Sequence, residues 1–412
     1  MDNPGSEVST VEDFPEEFLF SHISLLDLPV EIFFHICSFL DASTLVHNLG
    51  LVCKQFYEIL KDDSFWKVKI NRIWPNARYP LLPPDEDDEL FWKLSCVTIE
   101  KQTNLWKNRD LVETFSLQNG HYGTVDAVLL INNGQTCITG GRDRLLICWS
   151  LTQPGEEPCD QLCSGLGHEG WIWNITSMDD VIYSSSWDKT IRSWDVTGNS
   201  LTPIKSHEMN VQGALLCMNS CPELHLLATG SSCRKVLIFD PRMEKSVARY
   251  SPHQAAVIQI SMNSKYLVSA SEDKTVSVWD VRAGAVMKTF LLAKDSFAMS
   301  MFMHNGLVYM GDSNSNIHVL EENNDFNILK SYKTEHTKGI TAIHATAGSL
   351  MTASLDKTVR IWGATDPPQS IVDFECKHGD VANMHYLNEV LAASAENAIQ
   401  IWRAKAVYQH QL

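Results

Sequence analysis

The sequence predicts a mainly β protein built from seven copies of one unit, with a small α-helical module and a helical linker ahead of them. Three observations carry that prediction. From residue 115 onward the chain repeats itself every 40 to 45 residues. Each clear copy reads as a short strand, a tight turn carrying Asp, and a second strand ending on Trp. Ahead of the repeats, apolar residues fall at helical spacing instead.

The clear copies are TCITGGRDRLLICWS at 136–150, VIYSSSWDKTIRSWD at 181–195, YLVSASEDKTVSVWD at 266–280 and LMTASLDKTVRIWGA at 350–364, with weaker ones at 225–240, 307–321 and 390–404. Their closing residues, Trp149, Trp194, Phe239, Trp279, Leu320, Trp362 and Trp402, are 45, 45, 40, 41, 42 and 40 apart, which makes seven copies. A histidine precedes most of them, at His121, His168, His207, His253, His336 and His378; the fifth has none. Four copies are complete, as in His168, Ser184, Asp188 and Trp194. Serine, histidine and aspartate together suggest nucleophilic catalysis, yet no chain needs an active site four times at a fixed period, whereas every repeat must pair its buried polar groups. The sets read as structural: Asp holds the His ring, and the hydroxyl and the Trp N–H extend the network across the strands. No catalytic residue, cofactor or metal is expected, and the chain reads as a non-enzyme.

The period, the Gly-His start and the Trp-Asp end resemble the WD-repeat family, whose fold is a β-propeller of four-stranded blades. The resemblance implies a seven-bladed propeller over 111–404, closed by a strand from before the first repeat, for which LVETFSL at 111–117 is the candidate.

In LLDLPVEIFFHICSFLDASTLVHNLGLVCKQFYEILKDDSFWK at 25–67, Ile32, Ile36 and Leu40, then Leu45, Leu49, Val52 and Phe56, recur at helical spacing; Pro29 suits a helix start, and Asp41 or Ser43 can cap the next one. Such short helices bury too little to stand alone. Leu28-Pro29-x-Glu31, followed by Ile36, Leu40, Leu45, Val52-Cys53, Phe56, Leu60 and Trp66, resembles the F-box, with Phe56 in the place of the usual large aromatic. The resemblance implies docking on a Skp-type adaptor, and through it on a cullin-RING scaffold, by Leu28, Pro29, Ile32, Ile36, Leu40, Leu49, Val52, Phe56 and Trp66. The expected domains are an acidic disordered tail (1–24), the F-box (25–74), a linker (75–110) and the propeller, with a tail at 405–412. The linker begins as a Pro-rich, acidic loop (76–89) and turns helical from Leu90, where Leu90, Leu94 and Val97 form an apolar stripe; a stiff spacer is expected.

Bulk properties narrow the partners. Against 33 Lys and Arg stand 50 Asp and Glu, a formal charge of −17 with the bases scattered singly, so nucleic acid and anionic membranes are not expected partners. No apolar run approaches the ~18 residues that span a bilayer. Eleven cysteines, an odd number, and an acidic N-terminus point to reduced thiols and an intracellular protein, cytoplasmic, nuclear or both. The C-x3-C pairs Cys159/Cys163 and Cys217/Cys221 fall in expected inter-strand loops and lack the companions of a zinc site.

In the family, the turn before each Asp and the start of the innermost strand line one rim of the channel. Trp171 and Trp173 follow His168 by three and five residues, and Trp187 precedes Asp188, which places all three indoles on that rim as a platform for a protein substrate. The corresponding places in neighbouring repeats supply Asp126, Arg142, Gln212 and Glu272. Some F-box propellers bind phosphopeptides through converging arginines; here Arg142 is the single base in the set, so an aromatic anchor is expected instead. Order and content together resemble the F-box/WD-repeat family, which implies a substrate-recognition subunit of an SCF-type E3 ubiquitin ligase. The alternative is a WD-repeat scaffold for protein assembly without ligase function.

Overall fold

The computed structural model describes residues 25–75, 90–151, 161–197, 200–243 and 245–405. The chain divides between Phe65 and Trp66 into two compact units.

In the first unit, Pro29 stands immediately before the helix Val30–Cys37, and its carbonyl accepts the N–H groups of Ile32 (3.0 Å) and Phe33 (3.1 Å). Asp41 caps the following turn, its Oδ1 accepting Thr44 N–H at 2.7 Å. A helical run through Leu45–Leu49 and Gly50–Val52 leads to the helix Lys54–Leu60. The interior is Phe33, Cys37, Ala42, Leu45, Phe56 and Leu60, with Phe33 stacked on Phe56 at 4.8 Å.

The second unit contains a seven-bladed propeller. Seven separate four-stranded antiparallel sheets follow one another, and their first strands touch in a closed ring from Val125–Ile131 round to Val381–Leu387. The seventh sheet takes its outer strand from Val112–Leu117, which pairs with Ala398–Ala404 from Val112 opposite Ala404 to Leu117 opposite Ile399. Joining the two ends of the repeat region in one blade removes the open edge that a linear array would leave. The core lies between blades: Ile138, Cys148, Ile172, Ile182 and Trp194 form one cluster across the first and second.

The helix Phe91–Lys107 belongs to this unit and packs on the sixth and seventh blades. The expected stripe is on its outside, since Leu90 and Leu94 are exposed; the buried face carries Phe91, Cys96, Ile99, Gln102, Thr103 and Trp106. Polar docking explains the rotation. Gln102 donates to Tyr386 Oη (3.0 Å) and accepts from Ser349 and Thr346 hydroxyls (both 2.7 Å), while Lys101 pairs with Glu389 at 2.6 Å. Lys69 pairs with Glu100 at 2.8 Å with both side chains largely buried, which joins the helix ending at Ile73 to this spacer. The acidic loop 76–89, the N-terminal tail 1–24 and residues 406–412 lie outside the described residues.

Cys163, Cys217 and Cys221 sit on strands, not in loops, because their apolar neighbours continue the pleat; Cys159 is outside the described residues. Among the described residues no His, Cys, Asp and Glu cluster could hold a metal ion, and no helix is long and apolar enough to cross a membrane.

Candidate functional site: the indole rim and the outer face of the helical module

Each of the seven first strands has a β-bulge one residue after its first pair, and the bulged residues are Asp126, Trp173, Leu216, Ile258, Met299, Thr341 and Ala382. A bulge leaves one residue out of the ladder and re-aims its side chain. Directly before these strands stand Thr124, Trp171, Ala214 and Ala256, whose carbonyls accept the N–H of Arg142, Trp187, Ser232 and Glu272 at 2.8 to 3.1 Å. Strand start, bulge and turn thus meet on the same rim in each of these blades.

The aspartates hold that meeting together. In the second blade Asp188 Oδ1 accepts the N–H of Thr190 (2.9 Å) and so closes its own turn, while Oδ2 accepts the N–H of Glu169 (2.9 Å) and lies 2.7 Å from His168 Nδ1. His168 Nε2 meets Ser184 Oγ at 2.7 Å, and the Trp194 indole N–H donates to the same oxygen at 2.8 Å. Gly170 is required between them, because a Cβ there would stand 2.6 Å from Asp188 N. The same bracket recurs as His121, Asp143, Thr139 and Trp149, and as His336, Asp356, Thr352 and Trp362. Burial pushes these carboxyls up, but hydrogen bonds from the histidines, threonines and backbone outweigh it and hold Asp143, Asp188 and Asp356 below the usual range.

Other blades depart from this pattern. In the fourth, His253 Nδ1 pairs with Thr275 Oγ1 (2.8 Å), Asp273 stands off at 3.6 Å, and Trp279 stacks on Tyr250 at 4.0 Å. In the fifth, Ser296 donates to Asp312 at 2.6 Å in place of the missing histidine, and His318 reaches the same carboxylate from the third strand at 3.2 Å.

The three indoles converge. Trp171 and Trp173 lie 6.4 Å apart and nearly parallel, and Trp187 lies 4.5 Å from Trp171 and 6.0 Å from Trp173. Trp171 and Trp173 are half-buried, while Trp187 is 44% exposed; Trp194 is fully buried in the blade. Arg142 from the first blade extends over the group, its guanidinium carbon 5.1 Å from the Trp171 ring and 5.4 Å from that of Trp173. Asp126 grips that guanidinium with both oxygens, at 2.9 and 3.1 Å. Burial raises the Asp126 carboxyl above its usual range despite the pairing.

Glu272 is exposed and occupies the place that Arg142 and Trp187 hold in their blades. Gln212 does not match Trp173. His207 lies within the outer strand Ser200–Glu208 of the second blade, so counting from it falls short; the third blade presents Ala214 and Leu216 instead, and Gln212 is an exposed loop residue. The rim residues Leu216, Ile258, Phe297 and Met299 escaped the sequence reading, because a bulge leaves no trace in hydrophobic alternation.

On the helical module, Pro29, Ile32 and Val52 are exposed and Leu28, Ile36, Leu40 and Leu49 half-buried, whereas Phe56 (5% exposed) is interior; Trp66 (0%), the first residue of the second unit, is buried as well, so neither faces a partner. The outward apolar face also includes Phe39 (77%), Leu51 (75%) and Tyr57. A helix of this length that is apolar on two sides buries one and leaves the other open.

A propeller of WD repeats joined to a helical module with an open apolar face is the architecture of an F-box substrate adaptor. The F-box-like family matches residues 25–70, and the WD domain, G-beta repeat family matches 110–150, 160–195, 244–280 and 327–363, the four blades with complete His, hydroxyl, Asp and Trp sets. The chain is 32% identical to F-box/WD repeat-containing protein 9 of Homo sapiens over 396 residues, 94% of this chain and 84% of that protein. The Bos taurus protein of that name is 32% identical over 93% of this chain and 83% of its own length. F-box/WD repeat-containing protein mec-15 of Caenorhabditis elegans is 28% identical over 75% of this chain and 77% of its own. The chain belongs to the F-box/WD-repeat family.

Proposed function

We propose that the chain is the substrate-recognition subunit of an SCF-type E3 ubiquitin ligase. The F-box face of Leu28, Pro29, Ile32, Ile36, Leu40, Leu49 and Val52 docks on a Skp-type adaptor and through it on a cullin-RING scaffold, while the rim around Trp171, Trp173 and Trp187 takes a protein substrate. The receptor makes and breaks no bond; it raises the local concentration of a substrate lysine near the ubiquitin-loaded enzyme. Such a role places it inside the cell, in cytoplasm, nucleus or both. The observation that carries the reading is the pairing of two open apolar surfaces: Leu51 and Val52 on the F-box and the indole group on the rim, with Trp187 44% exposed. Aromatic side chains are enriched at the centres of interfaces.

The test is affinity capture of the full chain from cells, read by mass spectrometry. Native chain should recover a Skp adaptor, a cullin and substrates. Replacing Leu28 and Pro29 by alanine should lose the first two, and alanine at Trp171, Trp173 and Trp187 should lose only the substrates. Capture of stable partners without any Skp adaptor would favour an assembly scaffold and refute the ligase reading.

A further inference from the structure

We infer that the rim over the first two blades selects a positively charged side chain, an arginine or lysine on an unphosphorylated segment of the substrate, and that Arg142 fills this place in the free chain. The inference rests on the substrate reading above and narrows it to a chemical class.

The molecule itself displays what these indoles accept. A guanidinium lies 5.1 and 5.4 Å from two of the ring centres, inside the ~6 Å reach over which a cation is drawn to an aromatic face. Trp187, 4.5 Å from Trp171 and 44% exposed, extends the aromatic surface beyond the ring pair that Arg142 covers. Arg142 is not poised for a phosphate, because Asp126 already takes the Nε and one Nη edge of its guanidinium at 2.9 and 3.1 Å.

The remaining charges on the rim point the same way. Taking the residue before each first strand, the bulge, and the residue after each second strand, Arg142 is the single base among them. The acids are Asp126, Glu272, Asp380 and Glu396; Asp380 faces Lys338 at 3.6 Å, and Glu272 and Glu396 are exposed. At these positions a phosphate would meet four carboxylates and one base, Arg142, that is already paired. A cation would meet indole faces within an acidic ring, on a chain of net charge −17 that draws basic partners toward it.

The experiment titrates the full-length chain with a Gly-Ser decapeptide carrying two central arginines, and with counterparts bearing citrulline or phosphoserine there, by calorimetry. Citrulline keeps the shape of arginine, exchanges one donor nitrogen for a carbonyl oxygen and removes the charge. The arginine peptide should bind at least about fivefold more tightly than either counterpart. Trp187→Ala should weaken it by about fivefold or more. Arg142→Ala and Arg142→Gln, which vacate the place and remove a like charge, should both tighten it, an effect that mere loss of structure would not produce. Equal binding of arginine and citrulline peptides, tighter binding of the phosphoserine peptide, weakening in both Arg142 variants, or no binding at millimolar concentration overturns the inference. If substrate capture is still lost in the triple alanine variant, the rim survives as the substrate site and only its charge preference falls; if capture persists, the site itself is wrong.

Discussion

Replacing Asp188 by alanine removes four accepted hydrogen bonds in one step: from His168 Nδ1 (2.7 Å), Glu169 N (2.9 Å), Thr190 N (2.9 Å) and Thr190 Oγ1 (2.7 Å). The donors at Glu169 and Thr190 lie near the surface and regain water. His168 does not, because its side chain is fully buried and only Thr190 Oγ1, at a longer 3.3 Å, remains beside Nδ1, so losing the carboxylate costs about 1–3 kcal/mol. Adding a net loss of about 1 kcal/mol in all for the other bonds, whose donors regain water, brings the expected destabilisation to about 2–4 kcal/mol. The fourth blade supplies an internal control. Asp273 stands 3.6 Å from His253, whose Nδ1 already has Thr275 Oγ1 at 2.8 Å, so Asp273→Ala leaves no orphaned ring and should cost about 1–2 kcal/mol less. The assay is denaturant unfolding of both variants together with amide exchange, because a repeat array opens locally and the loss should concentrate at Glu169, Trp187 and Thr190. Equal losses from the two substitutions, or an Asp188 variant as stable as the native chain, would refute the bracket. A fully stable Asp188 variant that had lost an enzymatic activity would argue for catalysis.

Val52→Asp on the exposed F-box face should abolish adaptor pull-down with an unchanged melting curve, whereas Phe56→Ala, which empties the stack on Phe33, should cost about 3–5 kcal/mol and unfold the module. The propeller should lose stability in acid in two windows. Burial lowers His385 to about 4, and its neutral Nδ1 accepts Leu130 N–H at 3.3 Å; folding therefore opposes protonation, and stability falls as pH drops from about 6.5 towards 4, a slope that His385→Gln should flatten. Asp188 and Asp312 are held low in the fold, so their contribution is complete above about pH 4 and disappears below it; a melting curve measured from pH 8 to 2 separates the two. Alanine at Trp171, Trp173 and Trp187 should cost substrate binding about 2 kcal/mol or more per central anchor while the melting curve stays within a few degrees; a collapsed melting curve would make the indoles core.

The repeat was legible because each copy spends the same polar residues on the same buried problem, and position alone exposes the period. What failed was inference that needed backbone irregularity or partners from elsewhere in the chain. Gln212 falls short of the rim because His207 belongs to an outer strand rather than to the loop that follows it. The fifth blade rebuilds its network around Asp312 with Ser296 and His318, which come from different strands and carry no fixed spacing. The spacer helix turns its Leu90 and Leu94 outward and docks through Ile99, Leu105 and Trp106 together with Gln102, a residue that any hydropathy pattern assigns to solvent. In the F-box one apolar period was visible where the module has two: Phe33, Cys37 and Phe56 face inward, and Ile32, Leu51 and Val52 face out.

The aromatic site and the structural repeat are mechanically one object. Asp188 fixes the loop after His168 and the turn before Thr190, and these two segments carry Trp171 and Trp187, whose backbones join through the Trp187 N–H to Trp171 O bond at 2.9 Å. Asp143 does the same in the first blade for the turn that follows Arg142. Two successive complete brackets therefore flank the indole group, and the side chains that would meet a partner stand on backbone already ordered by buried hydrogen bonds, so little conformational entropy remains to be lost on binding. The third blade has Ser232 and Cys233 in its turn and no aspartate to tie turn to loop. Transplanting the three tryptophans there, at Ala214, Leu216 and Ser232, would reproduce their chemistry without their support. Such a variant, made in a chain whose native indoles are alanine, should recover little of the lost binding.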